Sequence, residues 1–184
     1  FIFFLLIMKK LHIGCGYDLK EWYINQDSIN LPNVDMVFDL EKFPYPFEDN
    51  SLDEIYSAHV LEHMDDLGKV MEEFTRICKP GAEIKVIVPY FSNPWTRADY
   101  THKRGFTTWT FHYFHPDFFY NHNAKIHTIK YRIHFLWNRK VFMKSAPINR
   151  IPDFFINLFP RFYERFFAYI LPSAEIHYLL KVAK

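Results

Sequence analysis

Leu11-His12-Ile13-Gly14-Cys15-Gly16, and shortly after it Trp22-Tyr23-Ile24-Asn25-Gln26-Asp27, decide how this chain is read. A short apolar run ends in Gly14-Cys15-Gly16, and a single carboxylate, Asp27, closes the next one. Glycines directly after a strand let a ligand touch the backbone, because no Cβ stands in the way. A carboxylate at the tip of the neighbouring strand accepts both hydroxyls of a ribose. Together they describe a nucleoside pocket. Only ten residues separate Gly16 from Asp27, against the ~20-residue spacing of a dinucleotide fingerprint. Asp18 also stands where a third glycine is usual. The first crossover helix is therefore very short or missing. That argues against an NAD enzyme, whose pyrophosphate needs the helix N-terminus.

Outward from this stretch the strands and helices follow in order. Residues 10–15, 23–26, 34–38, 52–58 and 83–88 read as short apolar strands. Phe43-Pro44-Tyr45-Pro46-Phe47 is an extended loop, since two prolines in three residues preclude regular structure. Residues 65–78 have helical spacing, with Leu67, Val70, Met71, Phe74 and Ile77 on one face and Asp65 as N-cap. Lys79-Pro80-Gly81 ends that helix and turns the chain. This order predicts an α/β domain with a parallel sheet wrapped by helices. Residues 89–116 are irregular and rich in Trp, Tyr, His and Thr, and a connection of that length is a functional loop or cap. Residues 128–136 and 176–182 read as the last two strands. Between them, residues 147–172 are amphipathic, with Phe155, Phe159, Phe162, Phe166 and Ile170 opposite Asn157, Arg161 and Arg165. Pro160 splits this segment into two short helices.

The 184 residues make one domain, 1–184, and 49% hydrophobic content excludes disorder. The formal net charge of +1 hides an asymmetry: residues 1–95 carry 8 basic and 16 acidic side chains, residues 96–184 carry 14 and 5. A basic, aromatic second half suits an anionic substrate, a membrane surface or nucleic acid. Two cysteines, Cys15 and Cys78, give no disulfide framework, and a reducing, cytoplasmic setting is expected. The opening Phe-Ile-Phe-Phe-Leu-Leu-Ile is far short of a spanning helix and lacks the features of a signal peptide. Met8-Lys9-Lys10 reads as the natural start, with residues 1–7 an upstream extension or an added length of first strand.

The phrase Ser51-Leu52-Asp53-Glu54-Ile55-Tyr56-Ser57-Ala58-His59-Val60-Leu61-Glu62-His63, set between the glycine turn and Lys79-Pro80-Gly81, resembles the type-11 branch of class I S-adenosylmethionine-dependent methyltransferases. The likeness covers residues 10–115 and departs mildly at Ala82, where the family often has glycine. It implies a Rossmann-like, seven-stranded methyltransferase sheet, mostly parallel with an antiparallel last strand, and a shortened first crossover. It divides the chain into a cofactor-binding half at 8–88, a substrate loop at 89–116 and the aromatic insertion at 147–172. It implies S-adenosylmethionine as cofactor and S-adenosylhomocysteine as product. Gly14, Cys15 and Gly16 match the turn under the methionine part, and His12 lies near the cofactor's amino group. Asp27, with Ser28 beside it, matches the acid that holds the ribose. Asp39 and Leu40 match the pair beside adenine. Ser57, Ala58 and His59 match the strand tip that borders the methyl.

A sulfonium is an activated donor, so the enzyme mainly aligns a nucleophile in line with the S–CH3 bond. A general base helps if that nucleophile carries a proton. His59 and His102 are the expected catalytic residues, with His63, Asp99 and Tyr100 as further candidates; Asp99-Tyr100-Thr101-His102 resembles the loop element that follows the fifth strand in this branch. His59 and His63 flank Glu62 at metal-pair spacing, but no third ligand is evident nearby, so no metal is expected. The Phe-rich segment has three readings: core, lid, or an in-plane membrane helix with Arg150, Arg161 and Arg165 at the headgroups. Core or lid is the favoured one. The expected function is methyl transfer to a small or lipid-like acceptor, with membrane-surface contact through 150–170 as a further possibility. The rivals are a methyltransferase-like binding protein without catalysis and a nucleic-acid methyltransferase. A nucleic-acid substrate is disfavoured because Val88-Pro89-Tyr90-Phe91 carries only one proline of a base-methylation signature.

Overall fold

No helix separates the first four strands of the sheet, so its first half is joined only by turns and loops. The computed structural model describes residues 8–119, 123–137 and 142–184. The reading of residues 1–7 as an extension lies outside the described residues. The strands are β1 (Lys10–Ile13), β2 (Ile24–Asp27), β3 (Met36–Val37), β4 (Leu52–Ala58), β5 (Cys78–Pro89), β6 (Ile126–His134) and β7 (Glu175–Val182). They form one sheet in the order β3-β2-β1-β4-β5-β7-β6. β1 to β5 pair in parallel, and β7 inserts antiparallel between β5 and β6. This is the mostly parallel seven-stranded sheet that the sequence predicts. The strand order reverses between β1 and β4, and ligands of open α/β sheets bind beyond the strand ends at that point.

Helix α1 (Leu67–Ile77) crosses from β4 to β5. Its apolar face is as expected: Leu67, Val70, Met71, Phe74 and Ile77 are at most 5% exposed, each burial stabilising by about 1.5–3 kcal/mol. The N-cap is Asp66 rather than Asp65: the Asp66 carboxylate accepts from the Lys69 N–H at 3.0 Å. Asp65 instead pairs with Lys103 at 2.9 Å. The predicted turn at Lys79-Pro80-Gly81 is also corrected. These residues lie inside β5, which already pairs at Cys78 with Leu52 and slips register before Glu83 meets Glu54. Gly81, at φ +79°, absorbs the irregularity.

The loop of residues 89–116 is less open than its composition implies. It contains helix α2 (Trp95–Ala98) and a 3-10 turn over Thr110–Phe114. The chain doubles back so that Tyr90 bridges Phe106, and a Cβ on Gly105 would lie 2.7 Å from the Phe91 Cα. Phe106 and Phe111 are fully buried and Phe114 nearly so. Part of the expected cap is therefore core.

Pro160 does split the late segment, into α3 (Arg150–Leu158) and α4 (Pro160–Phe166). Of the favoured pair of readings, core or lid, the Phe face is not core. Phe155, Phe159, Phe162, Phe166 and Ile170 are 55–78% exposed, whereas Asp153, Ile156, Tyr163 and Ala168 point inward. Polar anchors set this rotation. Asp153 accepts from the His134 ring and the Phe135 N–H at 2.7 and 2.8 Å. The Asn157 amide pairs with both backbone groups of Ile133 at 2.9 and 2.7 Å, standing in for a neighbouring strand along β6. No described helix is long and apolar enough to cross a membrane.

Candidate active site

The glycine turn is built for close approach. Gly14 and Gly16 have φ of +57° and +51°, the left-handed region that disfavours a side chain. A Cβ on Gly14 would lie 2.3 Å from a Val60 methyl, whereas a Cβ on Gly16 would meet no protein atom within 4 Å. The first glycine serves packing and the second leaves open space for a ligand. Gln26 and Asp27 at the end of β2 hold the turn from the side: the Gly14 N–H donates to the Gln26 amide oxygen at 3.2 Å, and the Gly16 N–H donates to Asp27 at 2.8 Å. Asp27 also accepts from the Ile29 N–H at 3.0 Å. Its carboxylate is thus oriented by backbone donors, with lone pairs left over for a diol.

Two cavities meet at this turn and share Gly14 and His59. One, of about 290 Å³, takes in Asp27, Ser28, Asp39 and Leu40. The other, of about 460 Å³, takes in His12, Cys15, Gly16 and Ala58, with Tyr17 and Tyr56. The first matches a nucleoside in size and polarity and the second an amino-acid tail. The structure thereby brings together all the expected cofactor residues except Ser57, which is fully buried in β4 and lines neither cavity. Val60, Met64 and Gln26 also line the first cavity. Gln26 gave no signal in sequence beyond its place next to Asp27.

His12 is 1% exposed, and its pKa is lowered to about 4 by burial and by Lys20 nearby, so the ring is neutral at pH 7. Its Nδ1 lies 3.3 Å from the Asn25 amide oxygen. A neutral imidazole here offers a hydrogen-bonding edge without repelling a sulfonium or an ammonium group.

His59 sits just past the end of β4 in the left-handed region, at φ +56°, a conformation that costs a non-glycine residue about 1–2 kcal/mol. Its Nδ1 faces Glu62 and its Nε2 faces Glu175, both at 3.3 Å, and both carboxylates are fully buried. Neither glutamate was an expected site residue. The His102 Nε2 faces Asp99 at 3.6 Å, and its ring stands against that of His63. The 99–104 loop is clamped there by the Lys103 N–H, which donates to the Glu62 carbonyl at 2.7 Å, and by Arg104, which donates to the Met64 and Asp65 carbonyls at 2.8 and 2.9 Å. His63, Glu62 and His102 end with their ligating atoms within 4.8 Å of one another.

Residues 4–86 match a family model described as a methyltransferase domain, of the type-11 group. That stretch, which holds the glycine turn, Asp27 and the tip of β4, is similar to a methyltransferase domain. The fold of the chain is that of a methyltransferase from Archaeoglobus fulgidus described as S-adenosylmethionine-dependent, at 16% identity, with TM-score 0.61, over 95% of this chain and 85% of that one. The YcgJ protein of Bacillus subtilis is similar at 14% identity, TM-score 0.58, over 96% and 92%. So is the [4+2]-cyclase SpnF, at 12% identity, TM-score 0.55, over 96% and 74%. A comparison with curated proteins finds no match. Likenesses at this identity speak for the fold, and a cyclase among them shows that the reaction must be argued from the site. The open space over Gly16 and the oriented Asp27 carboxylate are compatible with S-adenosylmethionine as the bound group.

Proposed function

We propose that this chain is a methyltransferase that acts on a lipid-like acceptor presented at an anionic membrane surface. The outward aromatic face of α3 and α4 carries this reading. Ile148, Ile151, Phe155, Phe159, Tyr169 and Ile170 are all more than 60% exposed, and large apolar side chains gathered along one segment and left in water suit an interaction surface. Beside it, β6 and α4 enclose a cleft of about 480 Å³ lined by Lys130, Arg132 and Arg161. The Thr108 and Thr128 hydroxyls and the Arg132 Nε are buried there without hydrogen-bond partners among the described residues. Basic groups with unmet donors suit a phosphate, as in a lipid headgroup. The face also reaches the site: Tyr169 packs edge-on against Phe91 at 5.4 Å, and Phe91 lines the cavity that holds His102.

S-adenosylmethionine, when bound, supplies a methyl group already activated on sulfur. The chain's own residues position and shield. Asp27 holds a diol, Leu40 covers a ring face, and neutral His12 sits beside the tail without opposing its charge. His59, fixed between two carboxylates, borders the point of transfer and serves to receive or relay an acceptor proton.

Vesicle flotation tests this. Phosphatidylcholine vesicles containing phosphatidylglycerol should carry the protein, and pure phosphatidylcholine vesicles should not. The triple variant Phe155→Ser, Phe159→Ser, Phe162→Ser should abolish flotation while S-adenosylhomocysteine affinity stays unchanged. Absence of flotation, or salt-dependent retention on RNA instead, overturns the lipid reading. Failure of the wild type to bind S-adenosylhomocysteine would leave a binding protein without catalysis.

A further inference from the structure

A buried carboxylate without a partner is costly, and Glu62 is one. It is fully buried, and neither of its oxygens has a hydrogen-bond partner among the described residues. The nearest titratable neighbour, the His59 Nδ1 at 3.3 Å, is an ion-pair contact without hydrogen-bond geometry. Leaving such a group unsatisfied costs several kcal/mol unless something pairs with it.

The two histidines beside it are set to present lone pairs. The Thr101 hydroxyl has one hydrogen, which it donates to Asp99 at 2.6 Å. It must therefore accept from the His63 Nδ1, which lies 2.9 Å away. That fixes His63 as the Nδ1–H tautomer, with the lone pair on Nε2. The other carboxylate oxygen of Asp99 lies 3.6 Å from the His102 Nε2, favouring the proton there. The lone pair of His102 is then on Nδ1, an atom that is buried without a hydrogen-bond partner among the described residues. The rings stand 4.8 Å apart and nearly perpendicular. Histidine ligands characteristically give their second nitrogen to an oxygen acceptor, and the carboxylate–histidine–metal arrangement is the common form. Thr101 provides it for His63 by a hydrogen bond, and Asp99 faces the second nitrogen of His102 as an ion-pair contact.

We propose that Glu62, His63 Nε2 and His102 Nδ1 bind a divalent transition-metal cation at the rim of the methyl-transfer cavity. Two imidazoles and one carboxylate are the donor set of catalytic zinc sites, which keep a position open. Mg²⁺ prefers an all-oxygen shell and is disfavoured. One nitrogen of each ring and a Glu62 oxygen lie within 4.8 Å of one another, and they close in on binding, given metal–ligand distances of ~2.0–2.2 Å. His63 also lines the cofactor cavity, and His102 lines the cavity beside Phe91. The ion thus stands between donor and acceptor. Resting on the proposed function, its role is to orient an acceptor hydroxyl and lower its pKa. The oxygen forms the new bond to the methyl carbon, the S–CH3 bond breaks with its electron pair kept on sulfur, and the hydroxyl proton leaves to water.

The test is calorimetric titration of the chelator-treated full chain with ZnCl2, and separately with MnCl2 and MgCl2, alongside S-adenosylhomocysteine titrations of every variant. The wild type should bind Zn²⁺ or Mn²⁺ at one site with micromolar or tighter affinity, and Mg²⁺ at least tenfold more weakly. Glu62→Gln and His102→Asn should each lose at least tenfold in metal affinity while keeping S-adenosylhomocysteine affinity, which shows that they are folded. Asp99→Asn, at an exposed position, should lose about tenfold or more, through the His102 ring and through Thr101 beside His63. No metal binding by a wild type that binds S-adenosylhomocysteine overturns the site and leaves the methyltransferase reading standing. Metal affinity unchanged by both variants overturns it as well. Metal binding by a protein that takes no S-adenosylhomocysteine would keep the site and remove its catalytic role.

Discussion

Two clusters of histidine and carboxylate lie on either side of Glu175, and they are solved in opposite ways. In the inner cluster both carboxylates are paired with an imidazole ring. His134 meets Asp153 at 2.7 Å and His177 meets Glu175 at 2.9 Å, all four side chains being fully buried. The His177 Nδ1 accepts from the Met143 N–H at 3.1 Å, so the ring is satisfied in its neutral form with Nε2–H donating to Glu175. In the outer cluster Glu62 and one nitrogen of His102 are buried and unmatched. Residue types are alike in the two, and all three carboxylates are fully buried; what differs is whether the carboxylate is hydrogen-bonded. A satisfied buried network specifies and locks a fold, whereas an unsatisfied one retains binding capacity at the expense of stability.

The comparison breaks most forcefully at Asp153. It ties α3 to β6, and hydrogen bonds from His134 and the Phe135 N–H hold its pKa low despite burial, which alone would raise it. Asp153→Ala leaves His134 unpaired and should cost about 3–5 kcal/mol in urea unfolding. A loss below 1 kcal/mol would mean that the inner cluster is no lock.

Acid titration gives the next largest effect. His12 is held at about 4 and His177 is also lowered, chiefly by burial in each case. Between pH 6.5 and 4 the unfolded chain takes up a proton on His12 and the folded chain does not, and His177 adds to the difference as pH falls below 6.5. Their contribution is thus fully present above pH 6.5 and lost as pH falls towards 4. For His12 alone it amounts to about 3 kcal/mol. Lowered carboxylates such as Asp153 extend the loss to more acid pH. Urea midpoints at pH 7.5, 5.5 and 4.5 measure the slope, and His12→Asn should flatten it. An unchanged slope in that variant would mean that His12 already titrates normally.

Asp27 separates ligand binding from stability. Its carboxylate faces the cofactor cavity and holds two backbone N–H groups. Asp27→Ala should weaken S-adenosylhomocysteine tenfold or more, about 1.4 kcal/mol, by calorimetry. Unaltered affinity would move the ribose elsewhere in the cavity.

Most of the sheet and the cofactor end could be read from the sequence because both are local. Gly14, Gly16 and Asp27 sit on consecutive strands, and the spacing of Leu67, Val70, Met71, Phe74 and Ile77 alone fixes α1. The direction of the Phe face was not legible because periodicity reports that a helix has an apolar side, not which way it points. Asp153 and Asn157 decided that, through bonds to β6 that no local pattern reveals. His102 was legible as a site residue, but its meeting with Glu62 depends on the Arg104 and Lys103 clamps across a long loop. Glu175 was hidden for the same reason, since its partner His59 lies on β4's far end, across β5.

The smallest predicted effect carries the sharpest sign. In the metal-free protein Glu62→Gln removes a buried carboxylate that no donor satisfies and leaves an isosteric amide. Stability should hold or rise, by up to about 1 kcal/mol, where Asp153→Ala falls by several. Adding Zn²⁺ should reverse the order. An ion that binds only the folded wild type stabilises it by about 2.7 kcal/mol at a hundredfold excess over its Kd, and the variant gains little. Paired thermal melts of wild type and Glu62→Gln, with and without Zn²⁺, read all four states. A variant less stable than the wild type without metal would show that Glu62 is already satisfied within the fold, and the contrast between the two clusters would collapse.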